Sequence, residues 1–145
     1  MQVRFLYFWV ICFFALSSCK GQQQFAVLDS ESVDLLTDSR TLYINYWAVW
    51  CAPCIEEMPV LAEFRQQNID RVEVYGVNFD TSTSEQLRAD VKKLNVEIPI
   101  LLDDPAELFG EDRPQALPTT WVVRDGLVVM VLTGPQTMES LLATL

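Results

Sequence analysis

Histidine is absent from the 145-residue chain. Ser-His-Asp and Cys-His catalysis are therefore excluded, as is any metal site built on imidazole. Chemistry must come from cysteine, carboxylate or main-chain groups. Glycine and proline are sparse, at 5 and 7 residues, which excludes a collagen-like or low-complexity chain. Basic residues are scarce too, with 10 Lys and Arg against 20 Asp and Glu. Residues 1–18 carry only Arg4, so the acidic excess belongs to the remainder. Such a surface repels phosphate backbones and anionic headgroups, and nucleic-acid binding is not expected. The acidic residues are scattered rather than gathered in a tail.

What is present suits one domain with its own core, since 50% of the residues are apolar. The apolar run Phe5–Leu16 is uninterrupted. A membrane-spanning helix needs about 20 apolar residues and a secretory core roughly 7–15, so the run reads as a signal sequence. Lys20-Gly-Gln-Gln-Gln24 then reads as a polar tether. Residues 25–145 are expected to form a single domain.

Within that domain, Phe25–Leu28 and Ser32–Leu36 suggest an opening hairpin around Asp29-Ser30-Glu31. Thr41–Ala48 is aromatic and β-branched throughout, as in a central strand buried on both faces. A helix should start near Cys51, with Pro53 in its first turn, Cys54, Met58, Leu61 and Phe64 on one side, and a kink at Pro59. Arg71–Phe79 is the next strand. Thr83-Ser-Glu-Gln86 resembles a capping box, and Leu87, Val91 and Leu94 give the helix after it an apolar face. Pro99–Leu102 is a short strand, followed by a helical turn at Ala106–Phe109. Asp125-Gly126 is a two-residue hairpin signal between Thr119–Val123 and Leu127–Leu132, and Thr137–Leu145 closes as a helix. The order implies an α/β fold, a mostly parallel sheet covered on both faces with an antiparallel edge. Trp47 and Trp121 are expected in the core, and Lys92-Lys93 at a solvated helix edge.

Cys51-Ala-Pro-Cys54 has several possible chemistries. Haem attachment fails because Ile55 follows where histidine is required. Zinc needs a second pair of soft ligands, which the domain lacks, so no metal and no cofactor is implied. A redox pair or an inert structural bridge remains, and a bridge closing so small a loop removes little unfolded-state entropy. If Cys51 starts the helix, exposed, its sulfur lies by unpaired N–H groups and the positive dipole end, which favours thiolate. Cys51 is then the nucleophile and Cys54, one turn deeper, the resolving thiol. Trp50 beside them is either an apolar rim for a partner or a cap on the core.

Asn45-Tyr-Trp-Ala-Val-Trp-Cys-Ala-Pro-Cys-Ile-Glu-Glu-Met-Pro59 resembles the active-site strand and helix of the thioredoxin superfamily. Ala116-Leu-Pro-Thr-Thr-Trp121 resembles its cis-proline loop. The stretch from Val74 through Asp104 is similar to the strand–helix insert of the TlpA/ResA-like branch of membrane-tethered thiol reductases. This resemblance implies a thioredoxin fold, Cys51 and Cys54 as the redox pair, and Pro118 in the cis form, with the Leu117 backbone pairing with substrate. It also implies Glu57 as a proton acceptor for Cys54; the alternative is a solvated first-turn acid. Asn45 stands where ordinary thioredoxins place a buried Asp, and the opening segment is shorter than usual for the branch. Peroxidases place Thr three residues before the nucleophile, where this chain has Ala48. Leu16-Ser-Ser-Cys19 resembles the bacterial lipobox, which implies a signal peptide over 1–18, lipid attachment at Cys19 and a tether over 19–24.

Ala52-Pro53 adds no positive charge of the kind that stabilises thiolate in strong oxidants. The expected activity is therefore reduction or exchange of disulfides in extracytoplasmic proteins, with cytochrome c maturation as a pathway by resemblance. Expected partners are disulfide- or thiol-bearing envelope proteins, a membrane electron donor, and the membrane itself through the lipid. The protein is expected to be monomeric and to face the periplasm, with Lys20 favouring the outer membrane. The alternatives are an oxidase or isomerase, or a tethered binding module with an inert cysteine pair.

Overall fold

Thr41-Leu-Tyr-Ile-Asn-Tyr-Trp47 forms β1 (Thr41–Trp47), and all of it except Thr41 is buried. Period-two alternation divides the strand between two cores. Leu42, Ile44 and Tyr46 enter one cluster, Tyr43 and Trp47 the other. A strand apolar on both faces belongs in the middle of a covered sheet. The computed structural model, which describes residues 23–80 and 82–145, places it there. The signal peptide expected at 1–18, Cys19 and most of the 19–24 tether lie outside the described residues.

The remaining elements are α1 (Ala52–Gln67), β2 (Val72–Asn78), α2 (Ser84–Leu94), β3 (Ile100–Leu101), α3 (Ala106–Phe109), β4 (Thr119–Arg124), β5 (Leu127–Thr133) and α4 (Met138–Leu142). The sheet order is β3-β2-β1-β4-β5. β1, β2 and β3 are parallel, while β4 and β5 run antiparallel to their neighbours. This is the thioredoxin architecture, a mixed sheet with an antiparallel edge. The last hairpin turns at Asp125 and Gly126, both at positive φ (52° and 74°), the geometry whose twist matches paired strands. Trp121 meets Tyr46 edge-on with centroids 4.8 Å apart, and Phe64 of α1 meets Tyr43 in the same way at 4.9 Å. Trp47 and Trp121 are both core residues.

Three local expectations change. The opening segment is no full hairpin: Phe25 and Val33 make one antiparallel bridge, and Val27 bridges Leu101. Leu28 N–H donates to Ile100 O and Leu102 N–H to Ala26 O, at 2.8 and 2.9 Å. The segment thus covers the open edge of β3, whose unpaired groups would otherwise be exposed. The box at α2 is half-formed, because Thr83 Oγ1 accepts from Gln86 N–H while the Gln86 amide turns to Asp90. A complete box caps α4, between Thr137 and Ser140, and that helix ends at Leu142 rather than Leu145. Helix α1 runs through Pro59 as one element, with the proline exposed. Among the described residues no helix is long and apolar enough to cross a membrane.

Candidate redox site

β1 ends at Trp47, and the chain reaches α1 through Cys51 at its N-cap position (φ −90°, ψ 93°). Cys51 O accepts the first helical bond, from Ile55 N–H at 3.2 Å. The N–H groups of Ala52 and Cys54 have no acceptor within the helix, and Pro53 fills a position where a missing N–H costs nothing. Positive potential therefore gathers where the Cys51 sulfur sits. Cys51 and Cys54 are joined as a disulfide, Cα atoms 5.3 Å apart. Cys51 is 5% exposed and Cys54 is fully buried. The expectation of an openly exposed Cys51 is corrected: its sulfur is turned toward Cys54 and both residues join the core cluster that holds Trp47 and Met58. Among the described residues no group of three or more possible ligands could hold a metal.

Strand register brings the second motif to the same end of the sheet. Asn45 pairs with Thr120 and Tyr46 with Thr119, so Pro118 enters β4 opposite the end of β1 that leads to Cys51. The Leu117–Pro118 bond is cis. Pro118 is buried, and its carbonyl accepts from Gly134 N–H at 2.9 Å. The Leu117 main chain makes no backbone hydrogen bond among the described residues, and its side chain packs against both core clusters.

Glu57 is not a solvated first-turn acid. It lies in the second turn of α1 and is 2% exposed. Its Oε1 accepts from Asn45 Nδ2 at 2.8 Å and its Oε2 from Gln136 main-chain N–H at 2.7 Å. Burial raises its proton affinity above that of an ordinary glutamate, and the Gln136 and Asn45 donors oppose the rise without cancelling it. The carboxyl, held partly against ionisation, lies one helical turn beyond Cys54 along α1.

Trp50 is 66% exposed, so it does not cap the core. Its indole N–H donates to Asp80 Oδ2 at 2.9 Å, which fixes the ring beside the cysteines. Next to it, Arg113 lies 4.4 Å over the Phe79 ring and donates to Phe79 O. Sequence reasoning missed Asp80, Thr120 and Gln136. Asp80 and Thr120 lie within motifs that were legible, but nothing near Gln136 in the chain signals a contact with α1.

The AhpC/TSA family model matches residues 30–131. The chain belongs to the AhpC/TSA family. Thiol-disulfide oxidoreductase ResA of Bacillus cereus is 30% identical over 127 residues, spanning 84% of this chain and 73% of that protein. The crystal structure of a DsbF homologue from Corynebacterium diphtheriae is 25% identical, with a TM-score of 0.70, covering 83% of this chain and 80% of the other. StoA from Bacillus subtilis has a TM-score of 0.69 at 24% identity, over 82% and 92% of the two chains, and shares the fold. Within the family this chain is a thioredoxin-fold thiol–disulfide oxidoreductase, close to the ResA-like members. Ala48, which is buried, occupies the position three residues before Cys51.

Proposed function

We propose that the protein reduces or exchanges disulfides in extracytoplasmic proteins. The observation that carries this is the Cys51–Cys54 pair at the start of α1 with the buried Glu57 carboxyl one turn below it. In the reduced form the Cys51 thiolate attacks a partner disulfide, forming a mixed disulfide and releasing one partner sulfur, which takes up a proton. Cys54 then loses its proton to Glu57, directly or through water, and attacks the Cys51 sulfur. The second partner sulfur leaves as a thiolate and takes the proton from Glu57 or from water, and the two electrons now reside on the partner while Cys51–Cys54 is oxidised. Trp50 supplies an apolar rim for the docking protein. The free main chain of Leu117, beside Pro118, supplies a pairing edge for an extended segment.

In this reading residues 1–18 are a signal peptide, Cys19 carries lipid, residues 19–24 are the tether and 25–145 the working domain. Acyl chains contribute about 0.8 kcal/mol per buried CH₂, which holds the domain at the envelope surface, and Lys20 favours the outer membrane. The protein works as a monomer and a membrane electron donor returns it to the dithiol. Cytochrome c maturation is the pathway proposed by resemblance.

Cys54→Ser tests the reading. With the resolving thiol gone, mixed disulfides to envelope proteins should accumulate through Cys51 and disappear in the Cys51→Ser/Cys54→Ser double variant. An empty trap in the native envelope would leave a binding module with an inert pair. A reduction potential near about −120 mV, rather than toward about −270 mV, would reverse the direction.

A further inference from the structure

The turn after β5 touches the site from two directions. Gly134 N–H holds the Pro118 carbonyl at 2.9 Å, and Gln136 N–H holds the Glu57 carboxylate at 2.7 Å. The thiol chemistry above assigns this turn no task. One side chain ties it together at both ends. The Gln136 amide nitrogen donates back to Gly134 O at 2.8 Å, and the amide oxygen accepts from Ser140 Oγ at 3.0 Å, inside the capping box of α4. Gly134 adopts φ +89°, a value that glycine tolerates and other residues avoid.

We propose that Gln136 is a positioning residue for the redox centre: its side chain folds the turn 134–136 so that one segment grips both the Pro118 carbonyl and the Glu57 carboxylate. Gln136 acts through its main chain and needs no contact with substrate. The proposal deepens, and rests on, the reading of Glu57 as proton acceptor.

The groups facing Glu57 explain why a turn can matter this much. Asn45 faces it from β1, with Thr120 of β4 behind sharing the same amide; Cys54 precedes it on α1, and Gln136 reaches it from the turn. The nearest acids along the chain on α1 and α4, Glu56 and Glu139, are exposed. In the disulfide form, where neither cysteine titrates, burial, the Gln136 N–H and the Asn45 amide are the forces acting on its proton, with no charged neighbour among them. A main-chain donor persists through any substitution except proline, so only the shape of the turn decides whether this one is aimed correctly. Misaiming it leaves burial less opposed, and Glu57 then holds its proton more tightly.

The test uses the full-length protein in its disulfide form with ¹³C-labelled glutamate, following the Glu57 carboxyl by NMR against pH where neither cysteine titrates. The pH profile of mixed-disulfide resolution is measured alongside. Gln136→Ala should raise the proton affinity of Glu57 by about three- to tenfold, the scale of weakening one hydrogen bond to a charged group, and move the resolution profile alkaline by the same factor. Gly134→Ala is the second variant if the first does not fold: the added Cβ has room, so only the strained φ perturbs the turn, and the shift should have the same direction. A lowered melting temperature with an unmoved Glu57 midpoint would overturn the proposal and leave Gln136 a purely structural residue. The two readings fail separately. If Glu57→Gln left the resolution profile unchanged, Glu57 would not be the proton acceptor, while the carboxyl titration would still decide whether Gln136 positions it.

Discussion

Asn45 Nδ2 lies 2.8 Å from Glu57 Oε1 and 3.0 Å from Thr120 Oγ1, so one buried amide joins the central strand, the active-site helix and the strand that Pro118 begins. Asn45 Oδ1 is left without a partner. A neutral donor at this position supports the Glu57 carboxylate while adding no second negative charge beside it. Glu57 is then the ionisable member of the buried cluster it forms with Asn45 and Thr120.

Glu57→Gln should therefore change how stability depends on pH. The folded protein holds the Glu57 proton more tightly than the unfolded chain does. The stability this group contributes is complete below its ordinary value of 4.5 and is lost as pH rises through the raised folded value. Glutamine cannot ionise, and a rotated Asn45 amide can offer its idle Oδ1 to the new NH₂ group. Urea unfolding should show the variant gaining on the wild type as pH rises above 4.5 and levelling off once Glu57 is fully ionised. A difference that stays flat with pH would count against the raised proton affinity.

Gly76 is a packing requirement of the sheet. A Cβ there would lie 2.6 Å from Ile100 Cδ1, 3.1 Å from Trp47 Nε1 and 3.3 Å from Ile98 Cδ1. Gly76→Ala should destabilise by about 1–3 kcal/mol, the range for overpacking a closed core. Adding Ile100→Val removes the nearest of the three atoms and should recover part of the loss. Denaturant midpoints of the two variants check both statements, and an unaltered Gly76→Ala protein would show that the contact relaxes freely.

Trp50 separates docking from folding. Because the ring is largely exposed, Trp50→Ala should alter stability by no more than about 0.5 kcal/mol. Exchange with protein disulfides should slow several-fold, whereas exchange with a small disulfide, which has no surface to lay on the rim, should not. Equal slowing of both would mean that the indole acts on Cys51 rather than on the partner.

Much of this molecule can be read along the chain. The period of two in Thr41–Trp47, the Cys-Ala-Pro-Cys start of α1 and the Asp125-Gly126 turn are local signals. Each depends on side chains within a few residues of one another, where sterics and capping act directly. The cis-proline motif was likewise visible as a run of residues. Glu57 was visible only as a candidate, since an acid early in a helix is satisfied equally well by solvent.

The opening segment shows the other limit. Phe25–Leu28 has the composition of a strand, but its partner, the outer edge of β3, lies more than seventy residues further on, and no hairpin rule reports it.

Taken alone, the amino-acid sequence determined the elements from β1 to α4, their order, and that a cysteine pair opens the first long helix, because propensity, patterning and capping are decided between near neighbours. Only the tertiary structure decided that Glu57 is buried, that Asn45 and Gln136 hold its two oxygens, and that the latter also belongs to the turn restraining Pro118. Those facts depend on groups 12 and 79 residues apart meeting in space. Burial, which sets the proton affinity of the carboxyl, is a property of everything packed around it and of no single stretch of chain.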